Sequence, residues 1–221
     1  MLQVIDVTIE MRAIGIIIAP PGAGKTTTLL AYNKGNPGSR YCAMNAAQCS
    51  TMYGMLKVVS EALFLAPPRG IHHHYSAISR ALGSHYEVLL IDEAQHADDR
   101  CLDVLRSIHD ETRVPLILAG NESLRSRFNS RSDASFAQLT SRVGTRLELK
   151  ATAAADVRAL AGHYGIEDPD AVRWLTQRCT GHGGLRTMAR LVRIAKQNAE
   201  NGALRLDHLK DAAGIVRGAA Q

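Results

Sequence analysis

The sequence predicts an α/β protein: a parallel, doubly wound sheet followed by a C-terminal segment that is helical throughout. Three observations predict it. Short β-branched or apolar runs alternate with segments of helical periodicity up to about residue 150. The first of those runs ends in a Pro/Gly-rich loop that opens straight into helix formers. Beyond Lys150 the strand pattern stops and four amphipathic segments follow. The expected domains are 1–150 for the sheet core and 151–221 for the helical lid.

Taken in order, Ile14–Ala19 reads as a buried strand, and Lys25–Tyr32 as the helix after its loop. Arg40–Asn45 is a second strand. Thr51–Leu65 sets Met52, Leu56, Val59 and Leu63 at helical spacing, and Pro67-Pro68-Arg69-Gly70 ends that helix. A short helix is expected over Tyr75–His85, then a strand over Glu87–Asp92. Asp99–Thr112 places Leu102, Leu105 and Ile108 on one helical face, and strands follow at Val114–Ala119 and Thr145–Leu149. In the lid, helices are expected over Ala154–His163, from Asp168-Pro169 with Asp as cap and Pro in the first turn, over Leu185–Asn198 and over Asp207–Val216. No element is assigned before Ile14, where Asp6 and Glu10 interrupt the apolar stretch and argue against a signal peptide.

Composition narrows the class. The apolar fraction of 46% supports a real core and excludes wholesale disorder. An aromatic fraction of 5% argues against an aromatic-lined groove for single-stranded nucleic acid. The formal charge of +5 permits an acidic polymer as partner without requiring one. Its distribution says more: Ser123–Arg146 holds five arginines (125, 127, 131, 142 and 146) and a single acid, Asp133. Cys42, Cys49, Cys101 and Cys179 have no metal-ligand spacing and read as reduced thiols of a cytoplasmic protein. No apolar run approaches the roughly 20 residues of a membrane span, so no membrane partner is expected.

Ala19-Pro-Pro-Gly-Ala-Gly-Lys-Thr26 carries the first chemistry. Its glycines let backbone N–H groups turn inward around phosphates, so Pro21, Gly22, Ala23, Gly24, Lys25, Thr26 and Thr27 form the expected ATP cradle. Lys25 supplies charge to the β- and γ-phosphates, and the Thr26 hydroxyl is offered to Mg²⁺. Ala19 stands where the P-loop pattern has its first Gly. Val88-Leu-Leu-Ile-Asp-Glu93 is the second half: an apolar strand delivers Asp92 to the metal and sets Glu93 to orient or deprotonate the attacking water. Glu93 also separates an ATPase from a phosphate-transfer kinase, which activates a substrate hydroxyl instead. Asp92-Glu-Ala-Gln95 occurs in two-lobed helicases too, but those need a second sheet domain and the helical segment does not supply one.

Three further positions follow. Asn121, after the apolar run Leu116–Gly120, is placed to hold the lytic water or the γ-phosphate; the plain reading is a turn-forming Gly-Asn. Arg142 precedes the last strand of the core and suits an arginine finger directed at a neighbouring subunit, with Arg146 as the competing candidate. Arg186, after Gly183-Gly-Leu, is placed to close over ATP, while Arg190, Arg193 and Lys196 extend the same face of its helix. His72-His73-His74 is read as a loop beside Arg69 that touches a phosphate backbone, because adjacent residues converge poorly on one metal.

The ordered set of P-loop, Asp92-Glu-Ala-Gln-His96, Gly120-Asn121, Ser141-Arg142 and a helical lid with Gly184-Leu-Arg186 resembles the AAA+ transposition ATPases typified by the phage Mu B protein, with TnsC-type regulators as cousins. The resemblance runs from about Ile14 to Val216 and includes Ala66-Pro-Pro-Arg-Gly70, similar to a basic turn of that family. It implies a P-loop AAA+ core with ATP and Mg as cofactors. It implies assembly as a helical homo-oligomer on double-stranded DNA without sequence preference, capture of target DNA and activation of a DDE transposase in the bacterial host cytoplasm. Arg69 then falls in a DNA-contacting loop, and Arg125, Arg127 and Arg131 in a loop facing the filament interior. The alternatives are another AAA+ machine, such as a helicase loader or secretion-associated ATPase, and a nucleotide-gated DNA scaffold with little turnover. Glu93 favours hydrolysis over the scaffold, and the motif order favours the transposition ATPases.

Overall fold

The computed structural model describes residues 1–66, 69–129, 134–181, 183–199 and 204–216. These form two compact units: Met1–Ala19 with Lys25–Glu148, and Pro20–Gly24 with Leu149–Gln221.

The first unit runs α1 (Leu2–Glu10), β1 (Ile14–Ile18), α2 (Lys25–Gly35), β2 (Ser39–Ala43), α3 (Met52–Ala62), α4 (Ile71–His85), β3 (Val88–Asp92), α5 (Asp99–Thr112), β4 (Leu116–Gly120), α6 (Glu122–Asn129), α7 (Ala134–Thr140) and β5 (Val143–Glu148). Every strand pairing is parallel, in the order β2-β3-β4-β1-β5. The strands β1, β3 and β4 are buried along their whole length, which is why each reads as a continuous apolar run. Successive side chains point to opposite faces of the sheet. Ile14, Ile16, Leu89, Ile91, Leu116 and Leu118 therefore join one core with Leu56, Ile78 and Leu105, from α3, α4 and α5. Ile17, Leu90 and Ile117 join another with Ile5 of α1 and Leu29 of α2. The sheet is thus covered on both sides, as a doubly wound fold requires.

Local chemistry explains the helix starts. Thr51 caps α3 by accepting from the Gly54 N–H at 3.1 Å, and Asp98 caps α5 by accepting from Cys101 at 2.7 Å. Arg113 ends α5 in a left-handed conformation, φ 60°.

The second unit holds α8 (Ala154–His163), α9 (Pro169–Cys179), α10 (Gly184–Asn198) and α11 (Leu206–Ile215) around Val157, Leu175, Met188, Leu191, Val192 and Leu209. Asp168 caps α9 as its position before Pro169 predicts.

Several expectations need correction. Residues 2–10 form a helix, because Ile5 and Thr8 are carried inward while Asp6 and Glu10 stay at the surface. The Thr8 hydroxyl hydrogen-bonds that of Thr145 on β5. Helix α4 begins at Ile71, so His72-His73-His74 is helical and not a loop. His74 is buried, its Nδ1 2.7 Å from the Ser60 hydroxyl, and burial lowers its pKa. Arg125 and Arg127 lie on helix α6, where a loop was expected. No helix among the described residues is long and apolar enough to cross a membrane.

Candidate nucleotide-binding site

The register of the sheet decides what meets what. Ile18 of β1 lies beside Gly120 of β4, and Leu118 of β4 beside Ile91 of β3. The loop after β1, the acids ending β3 and the amide after β4 therefore leave neighbouring strands at their carboxyl ends, where open parallel sheets bind ligands. Ala19 extends the alignment by donating its N–H to the Gly120 carbonyl at 3.1 Å.

The loop itself turns at Gly22 and Gly24, with φ of 81° and 88°, values that L side chains rarely tolerate. Ala23 is buried and Pro21 exposed. Lys25 opens α2 and is 6% exposed, its ammonium donating to the Ala19 carbonyl at 2.7 Å across the loop. Thr26 and Thr27 follow on exposed positions of the same first turn. Within the second unit, a Cβ on Gly22 would meet Arg186 Cβ at 2.9 Å and Gly183 Cα at 3.0 Å, so glycine at 22 lets the loop lie against the start of α10.

Asp92 is buried and fully engaged. Its Oδ2 accepts from the Thr26 hydroxyl at 2.6 Å and from the Tyr41 hydroxyl at 3.2 Å, and its Oδ1 from the Glu93 N–H at 2.9 Å. Tyr41, on β2, was invisible to motif reading: a tyrosine in a short strand carries no signal until the pairing of β2 with β3 is known. Burial and the neighbouring Asp92 carboxylate raise its phenol pKa, so it remains a neutral donor to Asp92. The next residue, Glu93, adopts φ 53° and ψ 36°, the left-handed region. Such a conformation costs a non-glycine residue about 1–3 kcal/mol and persists where surrounding bonds enforce it. Here they are the bond to Asp92 and the His96 N–H donated to the Glu93 carbonyl at 3.0 Å. The Gln95 amide donates to the Glu93 carboxylate, and its carbonyl lies 3.4 Å from the Asn121 N–H.

Asn121 caps α6, its side-chain carbonyl accepting from the Ser123 N–H at 2.9 Å. This contact shows the turn-forming role of Asn121. Arg142, half-exposed, bonds the Asp110 carboxylate of α5 at 2.7 Å. Burial alone would raise the Asp110 pKa, but the hydrogen bonds and charges of Arg142 and Arg106 hold it below the usual carboxylate range. Arg146 pairs with Glu148, two residues further along the same face of β5.

The basic segment differs from its sequence reading. Arg125 pairs with Glu122 and, at 3.2 Å, with Glu148; Arg127 pairs with Asp99 and donates to the Ala97 carbonyl at 2.6 Å. The acids that meet these arginines lie outside the 123–146 window, so the window counted cations without their partners. Arg131 lies outside the described residues. Arg69 is exposed, and no acid pairs with it among the described residues. All four cysteines are free and buried; burial pushes the Cys42 and Cys101 thiols up to about 12, which leaves them inert.

No group of three or more His, Cys, Asp or Glu able to hold a metal occurs among the described residues. Thr26 and Asp92 still fit Mg²⁺. That ion is usually bound by one or two carboxylates together with phosphates and water, and a hydroxyl already bonded to a buried carboxylate is such a donor set.

A profile described as AAA domain matches residues 9–128, more than half of the chain. A second, described as Mu B transposition protein, C terminal, matches residues 141–214. The chain belongs to the AAA family, and its residues 141–214 are similar to the C-terminal part of the Mu B transposition protein. Among curated relatives of this chain is the ATP-dependent target DNA activator B of Escherichia phage Mu, 27% identical over 204 residues. That match covers 91% of this chain and 65% of the relative, so the chain spans about two thirds of the relative's length. Among solved structures, ORC2 of Aeropyrum pernix, in its ADPNP–ADP complexes, superposes with a TM-score of 0.72 at 15% identity, over 94% of this chain and 66% of the other. Cdc6p of Pyrobaculum aerophilum gives 0.72 at 14%, over 97% and 66%. At such identities the likeness shows the fold alone, an AAA+ parallel-sheet core with a C-terminal helical region, as the sequence predicts.

Proposed function

We propose that this chain is an ATP-dependent, DNA-binding ATPase that assembles as a helical filament on double-stranded DNA, captures target DNA and activates a DDE transposase. The observation that carries the ATPase reading is the joining of Thr26 to Asp92, with Glu93 held beside them in a left-handed conformation. The name of the phage Mu relative, a target DNA activator, supports the DNA reading.

In this reading, the turned loop Pro21–Gly24 and Lys25 bind the phosphates, and Thr26 with Asp92 hold Mg²⁺. The metal supplies neutralisation of charge on the β- and γ-phosphate oxygens. Tyr41 keeps Asp92 oriented. Glu93 takes the proton of the attacking water, Asn121 holds that water or the γ-phosphate, and Arg186 closes over ATP. Arg142, with Arg146 as the alternative, reaches a neighbouring copy's nucleotide. Arg69 contacts the DNA backbone. Arg125 and Arg127 can join it only by exchanging carboxylate partners for phosphate.

The test is Glu93→Gln. ATP stays bound while hydrolysis falls by about 100- to 10,000-fold, the scale of a lost general base. Turnover at the wild-type rate would overturn the role of Glu93. Electron microscopy with ATP and DNA tests the filament: particles that stay monomeric under every condition would remove it.

A further inference from the structure

We propose that Gln95 is a positioning residue for ATP hydrolysis, tying the Glu93 carboxylate to the end of β4. The proposal rests on Glu93 acting as the base. Three observations meet at this side chain. Its Nε2 donates to Glu93 Oε2. Its Oε1 lies 3.4 Å from the Asn121 N–H, the first backbone donor beyond β4. A Cβ on Gly120 would come within 2.7 Å of Leu124 Cδ2 and within 2.8 Å of that same Oε1, so the absence of a side chain at Gly120 leaves both the amide and Leu124 their place against the strand end.

The chemistry favours an amide. It donates at one end and accepts at the other, so one uncharged group can span a carboxylate and a backbone N–H. A lysine in its place would neutralise Glu93 and lower its basicity, and a carboxylate would repel it. A glutamate side chain left to itself samples many rotamers. Holding Oε2 selects one of them and leaves Oε1 to take a proton. Glu93 starts from a strained backbone, so its side chain leaves the chain in an unusual direction, and Gln95 fixes where it ends. Because Gln95 is anchored at Asn121, a displacement of the β4 end moves the carboxylate with it. The residue that follows β4 and the base that follows β3 are thereby mechanically linked through one side chain.

The experiment is single-turnover hydrolysis by the full chain, with ATP affinity and melting temperature measured alongside. Gln95→Ala and Gln95→Met, the second nearly equal in length but unable to hydrogen-bond as the amide does, should each lower the hydrolysis rate about 10- to 100-fold with ATP affinity unchanged, the scale of a misplaced catalytic group. In a Glu93→Gln background, Gln95→Met should cause no further loss, because Gln95 acts only through Glu93. A wild-type rate in the Met variant, with Glu93→Gln inactive, overturns the role of Gln95 and leaves Glu93 standing. A wild-type rate in Glu93→Gln overturns the base reading itself. A further loss in the double variant, or ATP affinity falling as far as the rate, overturns positioning. Should the Ala variant melt early, the Met variant decides.

Discussion

The strand ends of β1, β3 and β4 and the helix α6 adjoin at Gly120–Glu122, yet they treat charge in opposite ways. At the strand ends, Lys25 is bonded to a backbone carbonyl and Asp92 to hydroxyls and an N–H. The hydroxyls and the N–H are neutral partners that orient the Asp92 carboxylate. On α6, Arg125 and Arg127 each face a carboxylate brought by another element, Glu148 of β5 and Asp99 of α5. The first arrangement suits a charged ligand, while the second satisfies its charges within the fold. The difference shows that the availability of a charge depends on what the topology places against it.

Lys25→Ala cuts deepest into this contrast. Nucleotide affinity should fall by about 100-fold or more, the scale of removing one member of a buried charge pair, with folding intact. Equilibrium binding of a fluorescent ATP analogue measures it, and near-normal affinity would break the first half of the comparison. Next comes Arg142→Ala. ATP should bind normally while turnover falls by about 1,000-fold, the lower range for an arginine finger. Mixed with the Lys25 variant, it should recover activity, since each supplies the half-site the other lacks. No recovery in co-assembled mixtures would remove the shared site.

The third prediction sharpens the contrast on the DNA side. Arg69→Ala should lower the salt slope of DNA binding by about one unit per binding unit, as one phosphate contact is lost. Arg127→Ala should leave the slope unchanged and destabilise the fold by up to about 1 kcal/mol, because its partner is Asp99. A slope that falls for Arg127 and not for Arg69 would return the α6 arginines to the DNA path. The smallest effect concerns Asp110. Its folded pKa is depressed, so its contribution to stability is present above the unfolded carboxylate value of about 4 and is lost as pH falls through the depressed folded value. Asp110→Asn should therefore flatten the acid limb of melting temperature against pH. An unaltered limb would show that Arg142 and Arg106 do not hold this carboxylate.

The residues themselves show why some of the site was legible and some was not. The loop Ala19–Thr26 announces itself because a phosphate cradle is contiguous: glycines at fixed offsets set its backbone, and the preceding strand and following helix are local in sequence. Asp92 and Glu93 were legible for the same reason, at the end of an apolar run. Tyr41 and Gln95 were not. Tyr41 matters only because β2 pairs with β3, and Gln95 only because β4 ends beside it. Helix α1 escaped notice because its acids mask an apolar face that becomes evident only once Ile5 and Thr8 are seen to turn inward.

The sequence by itself determined the alternation of strand and helix, the P-loop, the paired acids, the cap at Asp168 and the helical C-terminal region. Each of these depends on neighbours a few residues apart, where backbone preference and hydrophobic period act directly. Only the tertiary structure decided the partners of Arg125 and Arg127, the helical setting and burial of His74, and the chain of contacts from Asn121 through Gln95 to Glu93. Those depend on strand order and register, which bring together groups that are distant along the chain, and a hydrogen bond or ion pair forms only at the distances that register allows.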